Sequence, residues 1–186
     1  MNKISYYSFN NNNLIHLSTL NFKDSQRIHK IIKLFCPNIL MSNLQMKISE
    51  NIQIQFYYYS EKQVKVQVPE LEKKLSNYLK RKVEILPIPL KFPYLDSQIY
   101  ADYIKETNTP LKIIRQNLLK VFQENRHPGF WGIRIQISGR SHKNQKRSQK
   151  EEIFLGTRGP FSDTQHSTLR SIHGLRTTTV TLYSGL

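Results

Sequence analysis

From Gly132 to Arg140 apolar and polar positions alternate, with Ile133, Ile135 and Ile137 set against Arg134, Gln136 and Ser138. A period of two predicts a half-buried β-strand, since successive side chains leave opposite faces of a sheet. Beyond Gly139-Arg140 the strand runs into a basic stretch that carries Lys143, Lys146, Arg147 and Lys150. The same period recurs at Ile52, Ile54 and Phe56 against Gln53 and Gln55, so residues 51–59 read as a strand, with another over 43–48. A helical spacing appears at Ile28, Ile31, Ile32 and Phe35, with Asp24 or Ser25 as its cap and Pro37 as its stop. Leu71, Leu75, Tyr78 and Leu79 form a second such stripe, opened by Pro69 in a first turn, where the missing N–H costs little. Residues 83–90 return as a strand, and Pro87 and Pro89 suit it to a sheet edge. The order is helix, two strands, helix, strand.

Pro93 marks a boundary, giving an expected division into residues 1–92 and 93–186. Asp96 or Ser97 starts a helix that runs to about Lys105. Pro110 starts another, with Leu111, Ile114, Leu118 and Val121/Phe122 on one side and Lys112, Arg115, Gln116 and Lys120 on the other. His127-Pro128-Gly129 reads as a loop, and residues 153–155 and 177–183 as further strands. Asn10 to Asn13 reads as a mobile lead. Helices followed by a strand-rich end make an α+β arrangement. All seven glycines lie at or after Gly129, so the first 128 residues hold none suited to close backbone approach or easy positive φ.

Composition adds a partner class. The 186 residues carry 28 Lys+Arg against 13 Asp+Glu, a formal charge of +15. From Gly132 onward nine Lys+Arg face three acids. Such an excess says little about fold but favours a polyanionic partner, RNA or DNA first. No apolar run reaches the roughly 18 residues of a membrane span, so no membrane partner is expected. The opening residues lack the apolar core of a secretory signal, and with the first arginine at Arg27 they lack the pattern of an organellar presequence. Ile, Asn, Lys, Tyr and Phe are abundant, all with AT-rich codons, which points to an AT-rich genome and to an organelle as its leading candidate.

Catalytic and metal chemistry find no support. Cys36 stands alone, so neither an intrachain disulfide nor a cysteine-based zinc cluster is possible, and it reads as a small buried hydrophobe. His16, His29, His127, His142, His166 and His173 show no helical metal spacing. Ser162, Asp163 and His166 lie close together without a nucleophile elbow and read as a polar loop. Asp96 reads as a helix cap and Asp102 as part of a solvated helix face. There is no Walker loop and no Gly-x-Gly-x-x-Gly. The expectation is no enzyme, no cofactor and no metal. Of Tyr57, Tyr58 and Tyr59, two would share one strand face, where packing is a better use for them than stacking on bases.

Four segments in order carry a resemblance. Gly132-Ile-Arg-Ile-Gln-Ile-Ser-Gly-Arg140 resembles a strand of the type G-[IV]-[KR]-[IV]-x-[IV]-S-G-R. Pro93-Tyr-Leu-Asp-Ser-Gln-Ile-Tyr-Ala-Asp-Tyr-Ile104 resembles a helix of the type P-x-L-D-A-x-L-V-A-x-x-I-A. Leu111 to Lys120 lies where a basic helix precedes that strand, and Ser167-Thr-Leu-Arg170 resembles H-T-L-R near the end. Together they resemble the small-subunit ribosomal protein numbered three in the universal nomenclature, in its divergent mitochondrial form. The N-terminal half then resembles a degenerate type II KH-like module. A working KH module clamps RNA with a GxxG loop, and the corresponding residues 60–68 contain no glycine.

The resemblance implies a structural constituent of the mitochondrial small ribosomal subunit, encoded in the organelle and binding small-subunit rRNA in the head, near where mRNA enters and beside other head proteins. The alternative is a free organellar RNA-binding or RNA-maturation factor. Expected RNA contacts are Lys112, Arg115, Arg134, Arg140, Lys143, Lys146, Arg147, Lys150, Arg158, Arg170 and Arg176. Ile113 stands where the family has a second consecutive basic residue on the helix that lines its mRNA path. The family's closing strand, of the type G-V-K-V-W-I, has no match, so it is expected to be lost or supplied by another chain.

Overall fold

The computed structural model describes residues 22–48, 51–61, 66–124, 130–139, 149–171 and 174–185. The expected Asn-rich lead, His16, His127, His142, His173 and the run holding Arg140, Lys143, Lys146 and Arg147 lie outside the described residues. The fold is α+β, and the chain divides into two compact units at Pro93/Tyr94.

The first unit contains α1 (Phe22–Phe35), β1 (Leu40–Met41), β2 (Gln45–Ile48), β3 (Ile52–Tyr59), α2 (Val68–Leu79) and β4 (Val83–Pro89). β3 is the central strand. It pairs antiparallel with β2 through Ile54 opposite Met46, antiparallel with β1 through Tyr58 opposite Met41, and parallel with β4 through Ile54 opposite Ile85. The alternation read from the sequence is the observed one, with Ile52, Ile54, Phe56 and Tyr58 buried and the residues between them half-buried. Ile28 and Ile32 of α1 and Leu71 and Leu75 of α2 complete a core with Val83 and Ile85. β1 was not expected, because two residues are too short to show a period. Ser42 continues its path, donating from its N–H to the Tyr57 carbonyl and accepting the Tyr57 N–H on its hydroxyl, each at 2.9 Å.

β4 is an edge among the described residues, as its prolines suggested. Its inward N–H groups bond β3 and continue to Leu90, which donates to the Tyr58 carbonyl at 2.8 Å. The alternate, outward groups are all accounted for. Val83 donates to Ser76 Oγ at 3.1 Å and Ile85 to Glu72 Oε1 at 2.9 Å, and Pro87 and Pro89 have no N–H. That edge therefore offers no donor to an added strand.

After a 3₁₀ turn (Pro93–Leu95) that spans the boundary, the second unit contains α3 (Ser97–Thr107), α4 (Leu111–Glu124), β5 (Phe130–Gly139), β6 (Gln149–Gly156), β7 (Phe161–Ser171) and β8 (Gly174–Ser184). Its antiparallel sheet has the order β6-β5-β8-β7. The last strand in the chain is thus an inner one, and no gap interrupts the described sheet. Ile133, Ile135, Ile137, Leu155, Val180 and Leu182 form a buried layer, with Ile99 and Ile104 of α3 and Leu111, Ile114 and Leu118 of α4. Asp96 caps α3, accepting the Ile99 N–H at 2.9 Å. Without glycines to end them, α2 and α3 close on Lys80 and Asn108 at φ 53° and 48°. The glycines serve the sheet instead. Gly132 lies opposite Gly156, and a Cβ on Gly132 would fall on the carbonyl oxygens of Thr157 and Leu155.

Two expectations are corrected. Ser162, Asp163 and His166 are not a loop but part of β7, an 11-residue strand. Asp102 is not on a solvated face, its side chain being 13% exposed. One cause underlies both. The inward positions of β7 include Asp163 and Ser167, which meet α3 through hydrogen bonds rather than apolar contact. Ser97 donates to Asp163, and Ser167 Oγ donates to Asp102 Oδ1. A strand buried through polar groups shows no hydrophobic period. Burial pushes the Asp96 carboxyl up to about 6, with the charges of Asp163 and Asp102 adding to it against the opposing cap bonds. Burial also raises Asp102, but hydrogen bonds from Ser167, Lys105 and Gln98 outweigh it and leave this carboxyl below its ordinary value.

Candidate nucleic-acid interface

The face of the second sheet opposite the isoleucines is polar, and strand register lays it out row by row. Arg134 lies beside Phe154 of β6 and Thr181 of β8, and Thr181 beside Thr164 of β7. The next row is Glu152, Gln136, Thr179 and His166, and the third is Lys150, Ser138, Thr177 and Thr168. Arg170, opposite Leu175, continues the third row's end of the sheet, and Tyr183, opposite Gly132 and Ser162, continues the first row's end. Apart from Thr181 these side chains are exposed or half-buried. β-branched threonines suit a pleated surface, and here they tile it with hydroxyls. Thr164 and Thr181 are bonded across the strands at 3.0 Å.

The two ends of this face differ. At one end Lys150 and Arg170 stand exposed where β5 runs out into the segment of Arg140, Lys143, Lys146 and Arg147 and where β6 begins. At the other end Phe154, 40% exposed, meets Tyr183 edge to face, with ring centroids 5.8 Å apart. The Arg158 guanidinium lies 5.7 Å from the Phe154 ring centre, a cation–π distance. Toward the Tyr183 end a concavity of about 320 Å³ is lined by Arg134, Gln136, Ser162, Thr164, Thr179, Thr181 and Tyr183.

Arg134 is held by a two-pronged pair with Glu152, Nε to Oε1 at 2.7 Å and Nη2 to Oε2 at 3.0 Å. Glu152 hydrogen-bonded to it raises the guanidinium's already high pKa, and the same bond lowers the Glu152 carboxyl. Its plane is therefore fixed, with Nε and Nη2 on Glu152 and a further hydrogen bond to the Tyr183 hydroxyl. Arg176 belongs to the opposite, helix-facing side, next to Thr178. There it donates to the Asn108 side chain, and its buried Nε has no partner among the described residues. The structure thus brings Arg134, Lys150 and Arg170 onto one face, puts Arg158 at its rim and sets Arg176 apart. Lys112 and Arg115 are exposed on α4, beside Ile113 at 45% exposure. Of the tyrosine run, Tyr58 is in the core and Tyr57 and Tyr59 are half-buried on the other face.

Sequence reasoning missed Phe154, Tyr183 and the threonine rows as a surface. A signal was there, in Thr177, Thr179, Thr181 and Tyr183 at every second position. Among the described residues no group of His, Cys, Asp or Glu could hold a metal ion, and no described helix is long and apolar enough to cross a membrane.

Comparison with known proteins adds one match. Residues 39–126 match the family model described as mitochondrial ribosomal protein (VAR1). The match begins just before β1 and ends after α4, short of the second sheet. It indicates a mitochondrial ribosomal protein, located in the mitochondrion and structural rather than enzymatic in role. No curated protein matches the chain.

Proposed function

We propose that this mitochondrial ribosomal protein is a structural, rRNA-binding component of the small subunit, akin to the universal small-subunit protein numbered three and sited in the subunit head where mRNA enters. The observation that carries the ribosomal reading is the family match over residues 39–126. It is supported by the formal charge of +15 and by the four segments in family order. In the first unit, α1, β2, β3, α2 and a parallel β4 follow the order of a type II KH-like module, with β1 added. Lacking glycine over residues 60–68, this module has no KH clamp and serves packing, so RNA contact falls to the second unit.

The mechanism is electrostatic. Lysines and arginines at the Lys150/Arg170 end of the sheet, with Arg140, Lys143, Lys146 and Arg147, neutralise rRNA phosphates and release counterions. Lys112 and Arg115 on α4 add a second cationic strip, which faces the mRNA path. Arg158 contributes at the rim, whereas Arg134 and Arg176 act mainly in holding the sheet. Partners are small-subunit rRNA, mRNA near its point of entrance and neighbouring head proteins. With the β4 edge closed, a strand from another chain would join at β6 or β7 of the second sheet or along β1 and β2 of the first.

The test combines Arg140→Ala, Lys146→Ala and Arg147→Ala. Loss of three phosphate contacts should flatten the dependence of log affinity on log salt by about 2–3 and reduce incorporation into the small subunit. Unchanged assembly would refute this assignment. Release of the wild-type chain from the subunit by a high-salt wash would favour a free RNA-binding factor.

A further inference from the structure

We propose that the concavity on the polar face of the second sheet is a slot for one unpaired RNA base, stacked on Tyr183 and read by the surrounding hydroxyl and amide groups. The proposal rests on the rRNA-binding reading above and adds a contact that does not depend on charge. The Tyr183 ring is held in place by its edge-to-face contact with Phe154, so stacking requires little further ordering. Every side chain lining it carries a group that can hydrogen-bond. Gln136 offers both a donor pair and an acceptor, Thr179 offers a hydroxyl that works in either direction, and the mutually bonded Thr164 and Thr181 hydroxyls keep one donor and their remaining lone pairs between them. Arg134, fixed flat by Glu152, presents a guanidinium plane at the edge of the slot.

These are the groups that recognise a splayed base by its edge and its π face. They suit neither a duplex, whose bases are already stacked and paired, nor an apolar peptide, which would leave the hydroxyls unpaired. Arg158 at the rim supplies a phosphate partner near the base, and Lys150 and Arg170, roughly 20 Å or more along the same face at about 3.3 Å per residue, supply partners for nucleotides further along the strand. A base in the slot and phosphates along the threonine rows would fix a strand's direction across the sheet.

The experiment measures binding of the full chain to a single-stranded RNA of about 12 nucleotides, a length within the usual range for one such site. It is repeated with an abasic nucleotide placed at each position in turn, which removes one base and no phosphate. The expected result is a loss of roughly tenfold or more at a single position, with the salt dependence unchanged. Tyr183→Leu should bind the intact RNA as weakly as the wild-type chain binds that abasic form, whereas Tyr183→Phe should retain the affinity. Equal affinity for every abasic form would overturn the slot while leaving rRNA binding intact. Absence of binding to both single-stranded RNA and rRNA would overturn both readings. The abasic series uses the unaltered protein, so its outcome stands even if Tyr183→Leu fails to fold.

Discussion

The two units bury their sheets by different means. In the first, the inner face of β3 is apolar from end to end, and Ile28, Ile32, Leu71 and Leu75 close over it by apolar contact, the bonds from Ser76 and Glu72 of α2 reaching the backbone of the β4 edge. In the second, isoleucines fill the β5 portion, but the β7 portion is joined to α3 by polar side chains, Ser97 with Asp163 and Asp102 with Ser167. Apolar contact is non-directional and accepts repacking. Hydrogen bonds between named atoms are directional and hold one alignment. That matters more for β7 than for β3. A slip of one residue would turn Ser162, Thr164, His166, Thr168 and Arg170 inward and Asp163 and Ser167 outward. The polar seam therefore fixes the register on which the outer face of the second sheet depends.

The largest expected effect tests the apolar half of this contrast. Phe56 is fully buried at the centre of the first core. Phe56→Ala should lower stability by about 3–5 kcal/mol, measured by urea denaturation. A loss below about 1 kcal/mol would mean that the cluster collapses around the gap and does not act as a close-packed core. A smaller effect is expected in the polar seam. Asp102→Ala strips Ser167, Lys105 and Gln98 of a shared acceptor and should cost roughly 1–3 kcal/mol. Combined with Ser167→Ala it should show coupling of at least about 0.5 kcal/mol, because the two single changes break the same bond. Strict additivity would break the comparison, since the seam would then be incidental to burial.

The same contrast explains what could be read from the chain. Where burial is apolar the sequence displays it, as with the isoleucines of β5 and the alternation of β3. Pro87 and Pro89 announced an edge, though Ser76 and Glu72, which close the rest of it, lie on a helix and carry no mark of that task. β7 was hidden because its inward positions are Asp163, Gln165, Ser167 and Leu169, a series no hydropathy pattern would select. On the outer face Arg134 was recognisable as an outward residue. Its pairing with Glu152 follows only from the register of β5 on β6, across a sequence separation of 18. Phe154 sat in a three-residue apolar run too short to reveal which side it takes. The family match stops before that sheet begins, so the surface proposed for RNA was announced by the β5 alternation and not by the matched segment.

The smallest effect isolates a single proton in the seam. Asp96 caps α3 while buried near Asp163 and Asp102, and its carboxyl is raised from 3.8 to about 6. Between those values the folded chain holds a proton that the unfolded chain has released. Stability from this group is complete below about pH 4 and is lost as pH rises through about 6. Asp102, whose carboxyl is lowered, acts in the opposite direction and in a separate window, losing its contribution only as pH falls below the ordinary carboxylate range. Asp96→Asn keeps a cap of equal quality without the ionisation. At pH 7 the variant should equal or exceed the wild type in stability, by on the order of 1 kcal/mol. The wild type should gain on the variant as pH falls from 7 to 5, and the histidines, common to both chains, cancel in the difference. Parallel curves of melting temperature against pH for the two proteins would show that the carboxylate is not strained by burial. The distinction between the two units would then rest on the geometry of the seam and not on the ionisation of Asp96.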